Sequence, residues 1–524
     1  MTVSSVTSKA RTASVVAIIT VGVAVAGYLR EAILAAHFGA TATMDAYFAS
    51  IFIPNILYLV LIAGTLSPVF IPILLQENPE ENPEKASITF SVITNLALLA
   101  FVLIVACGVL GARLWFPILF PGFSQPTTIL SVRLIYIVFP ALPFLAVAGI
   151  LTALLNGFHR FRLAAFAPAL SSLSVIGAAL FFHGDRAIYA VGVATALGFL
   201  LQSLVLLPAS LALGIRYRPI LAFRHPAVRK LLKLGIPLLL YLMVANASAV
   251  LERSLASRIS AGAISTLTYA FRLFTVPANF LAAPLAIVAY PGFAREAARD
   301  QRGELAGQTS RLFRLVVFLF LPVTIWTILN ANIVTRVLYE HGKFSEASSW
   351  ITAHLLAIYS IGIVPNAIAI VLLRCFYAIE DTITPLLTEL MVLTCFVITA
   401  PYFTQRFGIE GLVATRTVTF FLVMVTLLVV LCRRYALLRF DFDILRFFLR
   451  VLAATFVMAL LCWAALHLLQ SAFNAGHIVV RLAVVVVVMV LGGGSFLTVA
   501  HFIGLSEAKQ IMNAGRSWFA RSPM

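Results

Sequence analysis

A near-continuous succession of apolar stretches, each long enough to cross a hydrocarbon layer of ~30 Å as a helix, leaves this chain few ways to fold. Of its 524 residues 62% are hydrophobic and 11% charged, against about 25% charged in an ordinary globular domain, so a soluble core is excluded. A membrane barrel would alternate apolar and polar residues over segments of ~10, and unbroken runs such as Val484–Val488 do not alternate. The expectation is an all-α polytopic membrane protein. About fourteen transmembrane helices are predicted, near 13–36, 45–75, 86–116, 127–156, 161–183, 187–213, 231–258, 264–293, 307–338, 347–378, 382–404, 408–432, 445–470 and 478–504. Lys9 and Arg11 ahead of an apolar run resemble the start of a cleaved signal peptide. The run continues to Ala36 with only Arg30 and Glu31 interrupting it, which suits a first transmembrane helix better than a short signal core.

The formal charge of +17 does not imply nucleic acid, because the basic residues sit in short segments between apolar runs. Arg216, Arg218, Arg224, Arg229, Lys230, Arg295, Arg299, Arg302, Arg433, Arg434 and Arg439 fall on one side of the predicted topology, with both termini. Arg186, Lys343 and Arg406 fall on the other. The richer side is expected to be cytoplasmic, with the chain a multi-pass protein of the inner membrane. The acidic segment from Glu77 to Lys85 lies on that side too, and acidic residues contribute little to orientation. Cys107, Cys375, Cys395, Cys432 and Cys462 lie inside apolar runs without metal-ligand spacing, and read as small buried hydrophobes.

Shifted by 223 residues against itself, the chain aligns Arg30 with Arg253, Gly39 with Gly262, Phe48 with Phe271, Pro54 with Pro277 and Pro68 with Pro291. The shift carries each helix onto one six crossings later and hence in the same orientation, a parallel repeat of the kind found in secondary transporters. Two six-helix lobes are therefore expected, at 12–213 and 231–432, followed by two extra helices within 445–504 and a cytoplasmic tail at 505–524. A substrate path between lobes and transport by rocking follow from that arrangement. Pro54 and Gly64 in one helix, and Pro277 and Pro284 in its counterpart, predict irregular backbone. Gly492–Gly494 predicts a bend or, more readily, a close approach of another helix.

Charges inside or bordering the apolar spans carry the functional reading. Arg30, Glu31, Asp45, Glu252, Arg253, Arg272, Arg374, Glu389 and Arg416 would each cost about 2.5–3.5 kcal/mol at a helix centre facing lipid, so they should face one another or a wet cavity. Arg374 can snorkel from a helix end, and Arg30 and Arg253 lie near outer ends. Arg272, about two turns into its helix, is the strongest candidate. Neighbours on a helix point about 100° apart, so Arg30 and Glu31, or Glu252 and Arg253, are expected to find partners on other helices. Asp45 is expected to pair with Arg30 or Arg253 in one transport state. A cavity holding Arg30, Arg253 and Arg272 suits a phosphate or pyrophosphate, which arginine grips in a bidentate fork. No Walker A loop, H-E-x-x-H or G-x-S-x-G is present, and His354 and His467 each stand alone on apolar stretches, so neither an enzyme, a metal site nor a cofactor is implied. No motif identifies a coupling ion.

Gly27–Glu31, Phe38–Ala40, Asp45–Phe48, Pro54-Asn55 and Phe70–Pro72 resemble the N-terminal signature of the MurJ/MviN family. Glu252-Arg253, Gly262–Ser265, Tyr269–Leu273, Gly342–Phe344, Phe376–Ala378, Asp381 and Thr384-Pro385 resemble its later motifs. The resemblance covers essentially the whole chain. It implies the fold of the multidrug/oligosaccharidyl-lipid/polysaccharide exporter superfamily and movement of lipid II, the undecaprenyl-pyrophosphate-linked peptidoglycan precursor, from the inner to the outer leaflet. Arg30, Asp45 and Arg272 match charged residues of the family's central cavity, Arg253, Glu31, Glu252 and Asn55 stand beside them, and the last two helices resemble a groove for the lipid tail. Membrane lipids and cell-wall synthesis proteins are the further partners implied. The chain departs from the family at Ala24, Tyr58-Leu59, Ala63 and Phe271, where charged residues are usual. Those departures leave open another polyprenyl-linked oligosaccharide as substrate, or a non-transporting scaffold for cell-wall enzymes.

Overall fold

A computed structural model describes residues 3–77, 81–184, 186–299, 301–438, 441–475 and 477–521. Arg439, and the side chains of Lys9, Arg11, Ala63, Gly64, Pro68, Arg516 and Arg521, lie outside what is described. Among the described residues every regular element is helical. Contacts divide the chain into two compact units, Met1–Ser265 with Gly342–Phe344, and Thr266–His341 with Ser345–Met524.

The first unit holds α1 (Val3–Phe38), α2 (Ala42–Tyr58), α3 (Ser67–Leu75), α4 (Pro83–Leu110), α5 (Ala112–Leu119), α6 (Gln125–Val138), α7 (Leu142–Gly157), α8 (Phe161–Phe166), α9 (Pro168–Phe181), α10 (Ala187–Leu211) and α11 (Pro226–Ser257). Two of its helices, α2 and α6, start at a capping oxygen: Thr41 accepts the Met44 N–H and Ser124 the Thr127 N–H. α1 ends at Gly39, whose φ of +66° suits glycine. α9 and α10 approach closely because Gly198 lies against Ser171, where a Cβ would sit 2.6 Å from the serine Cα. Tyr47 and Thr195 hydroxyls, 2.9 Å apart and buried, link α2 to α10.

The first residues of α12 (Ala263–Pro277) belong to this unit and the rest to the second. The second continues with α13 (Ala283–Ala298), α14 (Arg302–Tyr339), α15 (Glu346–Ser360), α16 (Ile363–Ala378), α17 (Ile383–Arg433), α18 (Phe442–Ala475), α19 (Ile478–Phe502) and α20 (Ser506–Arg521). α17 has 51 residues, about 76 Å at 1.5 Å per residue, too long for one crossing. It breaks at Gly408 (φ 60°, ψ −140°), as the predicted spans 382–404 and 408–432 require. Among the described residues 12 helices are long and apolar enough to cross a membrane, and the bent pair α15–α16 makes a thirteenth span. Division of α17 at Gly408 gives fourteen.

The proline-marked irregularities take the form of π-helical segments, Leu59–Leu66 after Pro54 and Ala278–Ala282 after Pro277. Other breaks carry no such forecast: one at Gly111, a 3-10 turn at Phe139–Ala141 and one at Ala167 interrupt spans read as continuous. α19 runs straight through its three glycines. Gly492 takes the packing role, since a Cβ there would lie 2.9 Å from Cys462 Sγ. All five cysteines are free. Cys375 and Cys462 are buried as expected, but Cys107 is exposed on α4, where an apolar run faces outward instead of into the core.

Between α16 and α17 the Asp381 carboxylate accepts the Thr384 N–H at 3.0 Å, the Thr384 hydroxyl at 2.6 Å and the Tyr435 hydroxyl at 2.8 Å, with Arg434 Nη1 3.9 Å away. Burial opposes its charge, but these donors and the guanidinium outweigh burial and hold the carboxyl below its ordinary value. A carboxyl whose folded value is depressed stabilises the fold above the unfolded value, near pH 4, and that contribution is lost as pH falls through the folded value. Acid scans of melting temperature should therefore show the wild type losing stability below about pH 4, and Asp381→Asn, lower at neutral pH, losing less over the same interval.

Candidate functional site

Within the first unit, α1, α2 and α11 bring most of the predicted charges into the described structure. Arg30 Nη2 lies 2.7 Å from Glu31 Oε1, and Glu31 is 2% exposed. Adjacent helix residues were expected to look elsewhere for partners, but the arginine is long enough to fold back across its own helix. Asp45, 1% exposed, accepts the Gly262 N–H on Oδ2 at 2.6 Å and the Ser265 N–H on Oδ1 at 2.7 Å, with the Ser265 hydroxyl also on Oδ1. Its partners here are the open N–H groups at the start of α12, not Arg30 or Arg253. The reason is physical: a helix N-terminus presents unsatisfied donors and partial positive charge, and a buried carboxylate meets both needs.

Arg253 stacks on Phe52, its Cζ 3.9 Å from the ring centroid, and one guanidinium nitrogen donates to the Ala249 carbonyl at 3.3 Å. Glu252 beside it is 2% exposed. Asn55 is exposed on α2, one turn beyond Phe52. Tyr58 and Ile62 press against α7 at Gly149, leaving no room for a Cβ there.

Three glycine turns of this unit interlock through main chain. Gly39 (φ +66°) lies on the Lys343 carbonyl, Gly262 (φ +87°) on the Ala40 carbonyl and Gly342 (φ +57°) on the Ala36 carbonyl. The Lys343 N–H donates to Ala36 at 2.7 Å. Each position combines left-handed backbone with an occupied Cβ site. Gly262→Ala should thus cost at least the ~1–2 kcal/mol of a left-handed non-glycine residue, read as a lower melting temperature of the purified protein, whereas alanine at Gly177, with nothing near its Cβ, should be tolerated.

Within the second unit Arg272 is exposed on α12, the tenth residue of that helix. Phe271 packs against Phe274 and Tyr359, and Phe274 in turn stacks on Phe420. Arg416 lies over the Phe396 and Phe420 rings at 5.9 and 5.4 Å. The two histidines read as solitary have aromatic neighbours: His354 stacks on Trp350 and has Glu410 at 3.7 Å, and His467 stacks on Trp463. These tryptophans lie one turn before each histidine, a spacing visible in sequence. No group of three metal-ligating side chains is found among the described residues. α12, α14, α18 and α19 line an apolar cavity of about 680 Å³ that includes Pro277, Phe280, Trp326, Met458, Met489 and Gly493.

The sequence model of the family described as lipid II flippase MurJ matches residues 34–484. The lipid II flippase MurJ of Burkholderia cenocepacia is 28% identical over 453 residues, covering 84% of this chain and 87% of the relative. The probable lipid II flippase MurJ of Buchnera aphidicola subsp. Acyrthosiphon pisum is 25% identical over 485 residues, covering 91% and 94%. Among solved structures, lipid II flippase MurJ in an inward closed conformation superposes with a TM-score of 0.79 at 21% identity, over 93% of this chain and 98% of that one. An inward-facing multidrug resistance MATE family transporter of the MOP superfamily gives 0.67 at 16% identity, over 80% and 98%. At these identities the two structures speak for a shared fold.

Proposed function

Because the chain belongs to the lipid II flippase MurJ family, whose sequence model matches residues 34–484, we propose that it moves lipid II from the cytoplasmic to the outer leaflet of the bacterial inner membrane. It is a transporter and not an enzyme. The family match over most of the chain carries this reading, and the charges within its spans give it a mechanism. Arg30, Arg253 and Arg272 receive the pyrophosphate, with Glu31, Glu252 and Asn55 adjusting the field and hydrogen bonding around it. Asp45 serves the path indirectly, by fixing the start of the helix that carries Arg272.

Two lobes, 12–213 and 231–432, rock against each other while the headgroup crosses and the polyprenyl tail stays in lipid. The tail follows the apolar cavity against α18 and α19, whose lining suits a hydrocarbon chain. Both termini face the cytoplasm, by the excess of arginine and lysine on that side, and the turns at Gly39, Gly262 and Gly342 face outward. Proteins of cell-wall synthesis that make or use the substrate are the natural partners.

The test is replacement. In a bacterium depleted of its own flippase of this family, this chain should restore exposure of lipid II on the outer leaflet. Unchanged exposure with normal membrane insertion defeats the proposal. One observation favours a second substrate: Ala24, Tyr58, Leu59 and Phe271 replace charges usual in the family, and Phe271 is committed to aromatic packing. Faster movement of another polyprenyl-linked oligosaccharide than of lipid II in proteoliposomes would establish that alternative.

A further inference from the structure

A cavity of about 800 Å³ in the first unit lies apart from the span charges discussed above. It is lined by the end of α1, the segment leading into α2, one face of α6, the residues after α9, the start of α10 and the turn at Gly342-Lys343. His37, His183 and Lys343 line it together with Thr41, Thr43 and Tyr189, and none of the described lining residues is acidic. The two imidazole rings have centroids 5.9 Å apart at an angle of 47°. His37 Nδ1 is 3.0 Å from the Ile33 carbonyl, which fixes the orientation of the ring. Tyr189 receives a hydrogen bond from Arg133 at 3.4 Å and keeps its own hydroxyl proton to donate.

Among the described residues, the ionisable groups lining this space are basic or hydrogen-bond donors: His37 from α1, His183 from the segment after α9, Tyr189 from α10 with Arg133 of α6 behind it, and Lys343 from the turn. Arg186 stands exposed at the start of α10, and Asp185 lies outside the described residues. Two imidazoles at this separation repel once both are protonated, and a multivalent anion between them and an ammonium removes the repulsion. Phosphate fits such a set best, because its oxygens accept from several directions at once.

We propose that this cavity is an accessory site for a phosphate-bearing anion, held by His37, His183 and Lys343. The ligand would also tie the turn at Gly342-Lys343 to the end of α1, next to the bond from the Lys343 N–H to Ala36. The outward direction of the site rests on the orientation proposed above, whereas its chemistry does not.

Pyrophosphate titrated calorimetrically into the purified full-length protein tests it. His37→Gln, His183→Gln and Lys343→Ala should each weaken binding about tenfold. Melting curves identify variants that fold. Because pyrophosphate also enters the proposed transport path, Arg272→Ala should leave untouched the component of binding that the His37, His183 and Lys343 variants weaken, which keeps the fate of this site distinct from that of the flippase reading. Absence of binding, or loss through Arg272→Ala with no effect of the histidine variants, would overturn the proposal. In nanodiscs, competition by phosphatidylglycerol but not phosphatidylcholine identifies a lipid headgroup as the ligand, and retention of pyrophosphate binding in both identifies a soluble phosphate.

Discussion

Arg272→Ala is expected to slow lipid II translocation by about two orders of magnitude while leaving the protein folded and inserted. A guanidinium sits on α12 about two turns from the helix start, exposed within its unit. Snorkelling from that depth is hard, and the proposed substrate carries a pyrophosphate with paired acceptor oxygens. Hydrogen bonds to charged groups contribute about 1.5–3 kcal/mol each, and loss of a bidentate pair worth about 3 kcal/mol corresponds to a rate about 150-fold lower. Arg272→Lys retains the charge without the planar fork and should fall between, about tenfold below wild type. Translocation of labelled lipid II in proteoliposomes, normalised to inserted protein, measures both. An alanine variant transporting at the wild-type rate would remove Arg272 from the path.

Asp45→Ala should produce the largest loss of stability among the site residues. The carboxylate accepts two backbone N–H groups and the Ser265 hydroxyl at a buried helix start, and a buried donor left without an acceptor costs about 1–3 kcal/mol. With the hydroxyl free to rotate toward another acceptor, a net loss of about 3–5 kcal/mol remains, visible as a melting temperature lower by several degrees. Asp45→Asn keeps one acceptor oxygen but turns an NH2 donor toward the other backbone N–H, so it should lose about 2–3 kcal/mol, less than alanine. An alanine variant melting with the wild type would show that the carboxylate does not hold this turn.

The crossings were legible because hydrocarbon demands a minimum apolar length, and even the division of α17 followed from the polar break around Gly408. Breaks at Gly111 and Ala167 were not, since a helix interrupted within an apolar run leaves no trace in hydropathy. The charged residues were legible as costly and therefore important, but their partners were not. Asp45 and Ser265 are 220 residues apart, and no local spacing links them. The pairing of Arg30 with Glu31 was misjudged because helical geometry fixes the direction of Cβ, not the reach of the long side chain beyond it. Phe271 read as a missing acid, and only its contact with Phe274 and Tyr359 gives it a packing role.

The three interlocked glycine turns rest on carbonyl oxygens, which are the nearest atoms to each absent Cβ. Such a latch has no chemistry to tune: it cannot be loosened by a smaller residue, since none exists, nor tightened by a larger one without forcing the strands of chain apart. Adaptation of this transporter to a new lipid or a new temperature must therefore proceed through the residues around these turns, leaving Gly39, Gly262 and Gly342 as fixed points about which everything else can drift.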